Sequence, residues 1–148
     1  MVKNLIISLL FIVLFGCSSL QLTPTDFAWP IETVLTVDEQ GFIKDDRYSI
    51  KVNVQNLYVE EFGGLNLSNK NLRMIRNSSG IYFITAEGFK NVYLFKQDIG
   101  ALTLLKKIKV SENGLKNPFF NQRDSYVELK DENINVKLSN EGIIGDKK

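Results

Sequence analysis

The chain has 148 residues, 44% of them apolar and 24% charged, with a net charge of +1. That length suits one hydrophobic core, and so even a charge balance lacks the clustered basic face that nucleic-acid binding requires. One cysteine and no histidine exclude an internal disulfide, Cys/His zinc sites, a redox Cys-x-x-Cys pair and any Ser-His-Asp or Cys-His mechanism.

Met1 to Asn4 carries Lys3 and the α-amino group, and Leu5 to Phe15 is apolar except for Ser8. As a helix this run would be about 16 Å long, against about 30 Å for a bilayer core. It has the length of a secretory signal rather than of a permanent span.

The run ends in Leu14-Phe15-Gly16-Cys17. This sequence resembles the lipobox of bacterial lipoproteins, with a branched aliphatic at Leu14 and a small residue at Gly16 before the cysteine. Phe15 is bulkier than the residue usual at its position. The resemblance covers residues 1–17. It implies cleavage of a 1–16 signal peptide between Gly16 and Cys17, and a diacylglycerol thioether with further acylation (palmitate-type chains) on Cys17. Burial of acyl methylenes at about 0.8 kcal/mol each then anchors the chain to the lipid bilayer without a membrane-spanning helix. Ser18 rather than Asp after the cysteine implies the outer membrane of a diderm cell envelope. The absence of acid from Ser18 to Leu22 implies a domain facing the periplasm. Lys3 is the only charged side chain removed, so the mature chain is neutral.

Residues 17–30 read as the lipidated cysteine and a short tether, reaching about 30 Å when extended. Phe27 and Trp29 at its end are expected to close one end of a core, the alternative being an interfacial anchor or partner hot spot. From 31 to 142 the dominant period is two, which predicts a single all-β domain, an antiparallel sandwich or small barrel of short strands. Tyr48, Ile50, Val52 and Val54 alternate with polar residues as in a half-buried strand. Ile81-Tyr82-Phe83-Ile84 and Val92-Tyr93-Leu94-Phe95 are continuous apolar runs, as in strands buried on both faces. Between Ala101 and Ile108, Leu102, Leu105 and Ile108 recur every three residues, the one helix candidate. Thr103 and the preceding Gly100 favour instead a second hairpin strand after Val92–Lys96. The stretch Gly80 to Val110 is similar to part of a β-propeller blade, but no second copy exists to build a propeller. Val127 and Leu129, then Ile134, Val136 and Leu138, flank Asp131-Glu132-Asn133 and predict a hairpin. Turn signals fall at Asp38–Gly41, Gly63-Gly64, Ser68–Asn71, Asn77–Gly80, Asp98–Gly100 and Glu112–Gly114. Residues 143–148 read as a frayed tail.

Chemistry-bearing patterns are sparse. The acid pairs Asp45-Asp46, Glu60-Glu61 and Asp131-Glu132 read as solvated turns, since neighbouring side chains on a strand point to opposite faces. Asp38, Gln40, Asp45 and Asp46 lack the ligand spacing of a calcium loop, and Gly63-Gly64 lacks the Lys-Ser/Thr of a phosphate loop. The glycosylation-type triplet Asn77-Ser78-Ser79 is discounted because the lipobox resemblance implies a bacterium. Lys106, Lys107 and Lys109 read as a solvated strand edge protected by charge.

Asn117 to Arg123 is the loop of most interest. Phe119, Phe120 and Arg123 are candidate partner-binding residues on an aromatic tip; the plainer alternative has one Phe in the core and the other over a sheet edge. No catalytic residue, metal site or cofactor is expected. The sequence favours a non-enzymatic accessory or scaffold domain that docks an envelope protein, using exposed sheet edges. The alternative is a small-ligand, lipid or glycan binding module, with several of Tyr48, Tyr58, Tyr82, Tyr93 and Tyr126 lining one cleft.

Overall fold

The computed structural model describes residues 31–64, 70–123 and 125–145. The expected signal peptide, Gly16, Cys17, the expected tether with Phe27 and Trp29, Ser68 and Asn69 of one turn signal, and the last three residues of the expected frayed tail lie outside the described residues.

Alternation and apolar runs become eleven strands and one helix among the described residues. Strands β1 (Thr33–Thr36), β4 (Asn71–Arg76), β5 (Ile81–Ala86), β6 (Asn91–Asp98) and β7 (Ala101–Lys109) form a central antiparallel sheet in the order β1-β4-β5-β6-β7. A second sheet contains β8 (Phe119–Arg123), β9 (Tyr126–Asp131), β10 (Ile134–Ser139) and β11 (Gly142–Ile143), in the order β11-β10-β9-β8. A hairpin of β2 (Phe42–Asp45) and β3 (Ile50–Asn53) stands apart, followed by helix α1 (Gln55–Phe62).

The side-chain period of two gives the central sheet two different faces. Leu72, Met74, Tyr82, Ile84 and Tyr93 pack with Ile43, Val54, Leu57 and Tyr58 of the hairpin and helix. Ile75, Phe83, Val92, Leu94 and Ile108 pack with Phe120, Val127, Leu129 and Leu138 of the second sheet. The fold is thus an all-β sandwich of two sheets with the hairpin and helix as a third layer, and its sheets do not close into a barrel. The continuous run at Ile81 is explained by this arrangement: every residue of β5 is buried, three on each face.

The expected hairpin around Asp131-Glu132-Asn133 forms, with Val136 opposite Leu129 and Leu138 opposite Val127. The Ala101–Ile108 segment is strand β7, so the helical spacing of its leucines has no structural counterpart. The helix lies instead at α1, where no helix is expected from the sequence. Gly63 stops it in the left-handed conformation (φ 72°), donating its N–H to Val59 O at 2.8 Å. Tyr48, expected within an alternating strand, sits in the β2–β3 turn. Asn117–Arg123 is no free loop, because residues 119–123 form β8. Ile143, at the start of the expected frayed tail, pairs with Leu138, and Ile144 N–H reaches Lys137 O at 2.8 Å.

Gly114 is required by close approach. It has φ 88°, and a side-chain carbon there would come within 2.6 Å of Gly88 O. That contact brings the segment before β8 onto the β5–β6 turn, where Gly88 N–H donates to Leu115 O at 2.7 Å.

Candidate docking surface

Sheet edges present unpaired N–H and C=O groups, and natural proteins usually blunt them. Among the described residues the edges differ in how they are covered. β11 is two residues long. On β8, the N–H of Phe120 donates to Glu32 Oε1 at 2.8 Å, so a carboxylate occupies that edge. β7 is the longest strand, nine residues, and pairs only with β6.

A bulge divides β7. Lys106 opposes Leu94 and Leu104 opposes Phe95, leaving Leu105 as the extra residue. Beyond the bulge the strand is guarded. Lys107 forms an ion pair with Glu60 of α1, the Lys106 ammonium donates to the Glu141 carbonyl, and Lys109 pairs with Glu112 at 2.6 Å. Lys106 and Lys107 point to opposite faces, so they tie β7 to both outer layers. This agrees with the reading of these lysines as edge protection.

Before the bulge β7 itself carries no charged side chain. Leu104 is 48% exposed and Leu105 52%, and Ile99 at the β6–β7 turn is fully exposed. Gly100 supplies the positive φ (72°) that this two-residue turn needs. Beside this hairpin end runs a cleft of about 370 Å³, bordered by Ser49–Asn53 of the β3 side and by Gln97, Asp98 and Gly100–Leu102. β3 pairs only with β2, so a second strand edge forms one wall. Its neighbours Ile50, Val52, Phe95 and Leu102 are only partly buried. Unpaired backbone beside half-buried apolar side chains matches the needs of an added extended segment: main-chain hydrogen bonds for affinity and alternate side-chain positions for selectivity.

The sequence-derived partner residues are separated by the fold. Phe119 is 42% exposed, whereas Phe120 is 4% exposed and fills the core between the two sheets. Arg123 lies 3.5 Å from the Glu128 carboxylate, with Lys130 at 3.4 Å from the same oxygen. Burial acts to raise the Glu128 carboxyl, but Lys130 and Arg123 outweigh it and hold it below the usual range. An aromatic tip formed by both phenylalanines is therefore absent; one Phe plugs the core and the other stays at the surface. The sequence favours a strand at Ala101–Ile108, but its place at the end of the sheet order, which leaves its first half unguarded, depends on pairings with distant segments that no local pattern shows.

The acid pairs are not the solvated turns expected: Asp45 ends β2, Glu60 and Glu61 stand on α1, and Asp131 ends β9, each placed by the elements that form around it. Asp45 is buried and Asp46 is exposed, paired with Lys44 at 2.7 Å. Glu60 pairs with Lys107, while Glu61 accepts from Lys90 N at 2.8 Å, Asn91 Nδ2 at 2.7 Å and the Tyr93 hydroxyl at 2.8 Å. Burial, reinforced by Glu61, pushes the Tyr93 phenol far up. Asp131 accepts from Lys116 N at 3.0 Å and Asn117 N at 2.6 Å. Its burial acts upward, yet these backbone donors and that of Glu132 hold its carboxyl below the ordinary value. Glu61 and Asp131 are thus fasteners, joining α1 to β6 and the segment before β8 to β9. Among the described residues no three His, Cys, Asp or Glu side chains gather in a metal-holding group. Tyr58, Tyr82 and Tyr93 belong to one buried core, so they do not line a common cleft.

Comparison with known proteins finds no matching family model, curated protein or solved structure.

Proposed function

We propose that this chain is a lipid-anchored protein of the bacterial cell envelope that acts as a docking scaffold, receiving an extended segment of an envelope protein partner at the β3 and β7 edges. The observation that carries the reading is the division of β7: one half is guarded by paired lysines, the other is apolar and unguarded beside a strand-lined cleft. A merely protective edge has no reason to stop its protection at the bulge. The anchor rests on the sequence Leu14-Phe15-Gly16-Cys17, with Cys17 the sole cysteine. An anchored domain with no net charge meets membrane-bound partners by confinement rather than electrostatic steering.

The test uses the full chain at native expression. Crosslinking in cells, capture and mass spectrometry are expected to return one abundant partner. That partner is expected to disappear with the double change Leu104→Lys and Leu105→Glu while the folded fraction stays unchanged. Cys17→Ser is expected to abolish fatty-acid labelling. A partner retained by the double variant removes the docking reading, and labelling retained by Cys17→Ser removes the anchor.

A further inference from the structure

The second sheet has one face in the core and one turned outward. Phe120, Val127, Leu129 and Leu138 point into the core, so the alternate positions of β8, β9 and β10 point away from it. The register sets Lys130 between Phe119 and Asn135, and Glu128 between Asn121 and Lys137. Arg123 opposes Tyr126 on the same outward face.

The even charge balance of the chain does not extend to this face. Arg123, Lys130 and Lys137 stand on it against one carboxylate, Glu128. Glu128 is only 8% exposed, with Arg123 and Lys130 at 3.5 and 3.4 Å from its Oε2. Lys137 opposes Glu128 in the register, yet its ammonium sits 5.1 Å from the centre of the Tyr126 ring. Solvent therefore meets the cations while the acid is covered. Asp124, next to Arg123 in the chain, lies outside the described residues; one more negative charge there still leaves three cations against two acids.

Apolar groups border the cations. Phe119, on the edge strand, is 42% exposed. Ile144 is 47% exposed beside β10, where its N–H donates to Lys137 O at 2.8 Å. An acidic polymer in water would use the cations alone. Cations bordered by exposed apolar side chains suit a bilayer interface, where anionic headgroups lie directly over hydrocarbon. Long Lys and Arg side chains reach the headgroups while apolar tips enter the boundary beneath.

From this we infer that the outer face of the second sheet rests on an anionic lipid surface, with Arg123, Lys130 and Lys137 against headgroups and Phe119 and Ile144 at the acyl boundary. The inference rests on the anchored reading, because confinement by acyl chains lets a modest attraction orient the domain. It turns the hairpin and helix layer, with β3, away from the bilayer by about two layer spacings of 10 Å each, on the side open to a partner.

The test uses the lipidated full chain in phosphatidylcholine vesicles with and without about 30% phosphatidylglycerol. Acylation consumes the Cys17 thiol, so one added cysteine carries the only fluorophore. Asn135→Cys labels the outward face, and Asn56→Cys, exposed on α1, labels the opposite layer. Lipids brominated high on their acyl chains are expected to quench the label at Asn135→Cys and not at Asn56→Cys. The quenching is expected to be about fivefold stronger with phosphatidylglycerol and to fall in about 1 M salt. Phe119→Ala combined with Lys137→Gln, both at exposed positions, is expected to lower it by about half or more. Equal quenching at the two sites overturns the inference, as does quenching indifferent to phosphatidylglycerol or to the double variant; flotation with the vesicles then still supports the anchor. Failure to float removes the anchor and the inference with it. A response of the Asn135→Cys label to polyglutamate but not to vesicles assigns the face to an acidic polymer and overturns the lipid reading.

Discussion

Glu32 and Phe120, 88 positions apart, are joined across the sandwich: the Phe120 N–H donates to Glu32 Oε1 at 2.8 Å while Glu32 Oε2 accepts from Arg73 Nη1 at 3.0 Å. One half-buried carboxylate thereby holds the edge of β8 against β4. Hydrogen bonds to charged groups contribute about 1.5–3 kcal/mol each. Glu32→Ala leaves the Phe120 N–H and the Arg73 guanidinium without this partner. Urea denaturation is expected to give a loss of about 2–3 kcal/mol, and an unchanged midpoint would remove the fastening role.

The two neighbouring phenylalanines are expected to behave as different residues. Phe120→Ala opens a cavity between the sheets and should cost about 3–5 kcal/mol. Phe119→Ala, at the surface, should cost only about 0.5 kcal/mol. Thermal unfolding of both variants separates these outcomes, and equal losses would contradict the facing of β8.

Alkaline pH is expected to unfold the chain through its buried tyrosines. Burial pushes the Tyr58 phenol from 10.0 up to about 12, and its hydroxyl has no partner among the described residues. Burial likewise raises Tyr82 and Tyr93. A raised pKa means that the fold holds the proton more tightly than the unfolded chain does. The stability it contributes is therefore complete below pH 10.0 and is lost as pH rises through about 12. Phenolate absorbance of these residues should appear together with the loss of circular dichroism. Tyr58→Phe, which deletes the unpartnered hydroxyl, should leave neutral-pH stability equal or higher and move the alkaline transition upward. A transition left where it was would exclude Tyr58 as a contributor.

The guarded half of β7 carries its own expectation. Replacing Lys106 and Lys107 together by Ala removes the charges that blunt this edge. Light scattering is expected to detect edge-to-edge self-association of the double variant at concentrations where the parent chain stays dispersed. A monodisperse double variant would mean that the bulge alone protects the strand.

Much of this architecture is legible in the sequence because strand alternation reports burial directly. Val127, Leu129, Ile134, Val136 and Leu138 fall into register around Asp131-Glu132-Asn133 as their spacing predicts. The apolar run of β5 announces burial on two faces, and the third layer supplies the second cover. Helix α1 was hidden for a physical reason. At eight residues it is too short for propensity to settle, and its stability comes from tertiary contacts: Leu57 and Tyr58 in the core, and Glu61 against three donors of the β5–β6 region. The same limit applies to Phe119 and Phe120. Their sequence reads as a loop, and shows neither that they form β8 nor which of the two faces the central sheet. The hydrogen bond from Asn77 Nδ2 to Asn140 Oδ1 joins the β4–β5 and β10–β11 turns across 63 positions, and no local pattern connects them.

The position of β5 has a consequence for how the molecule opens. It has a strand on each side and a hydrophobic layer above and below. Its amides should exchange with deuterium only when the whole sandwich comes apart. Each outer layer rests on the same sheet, so detaching one strips a face from β5 and weakens the hold of the other. The layers are therefore coupled as one cooperative unit, while the β6–β7 turn, with Ile99 fully exposed, is free to open on its own. Slow exchange at β5 and fast exchange at the hairpin end would trace a rigid body with one pliant end.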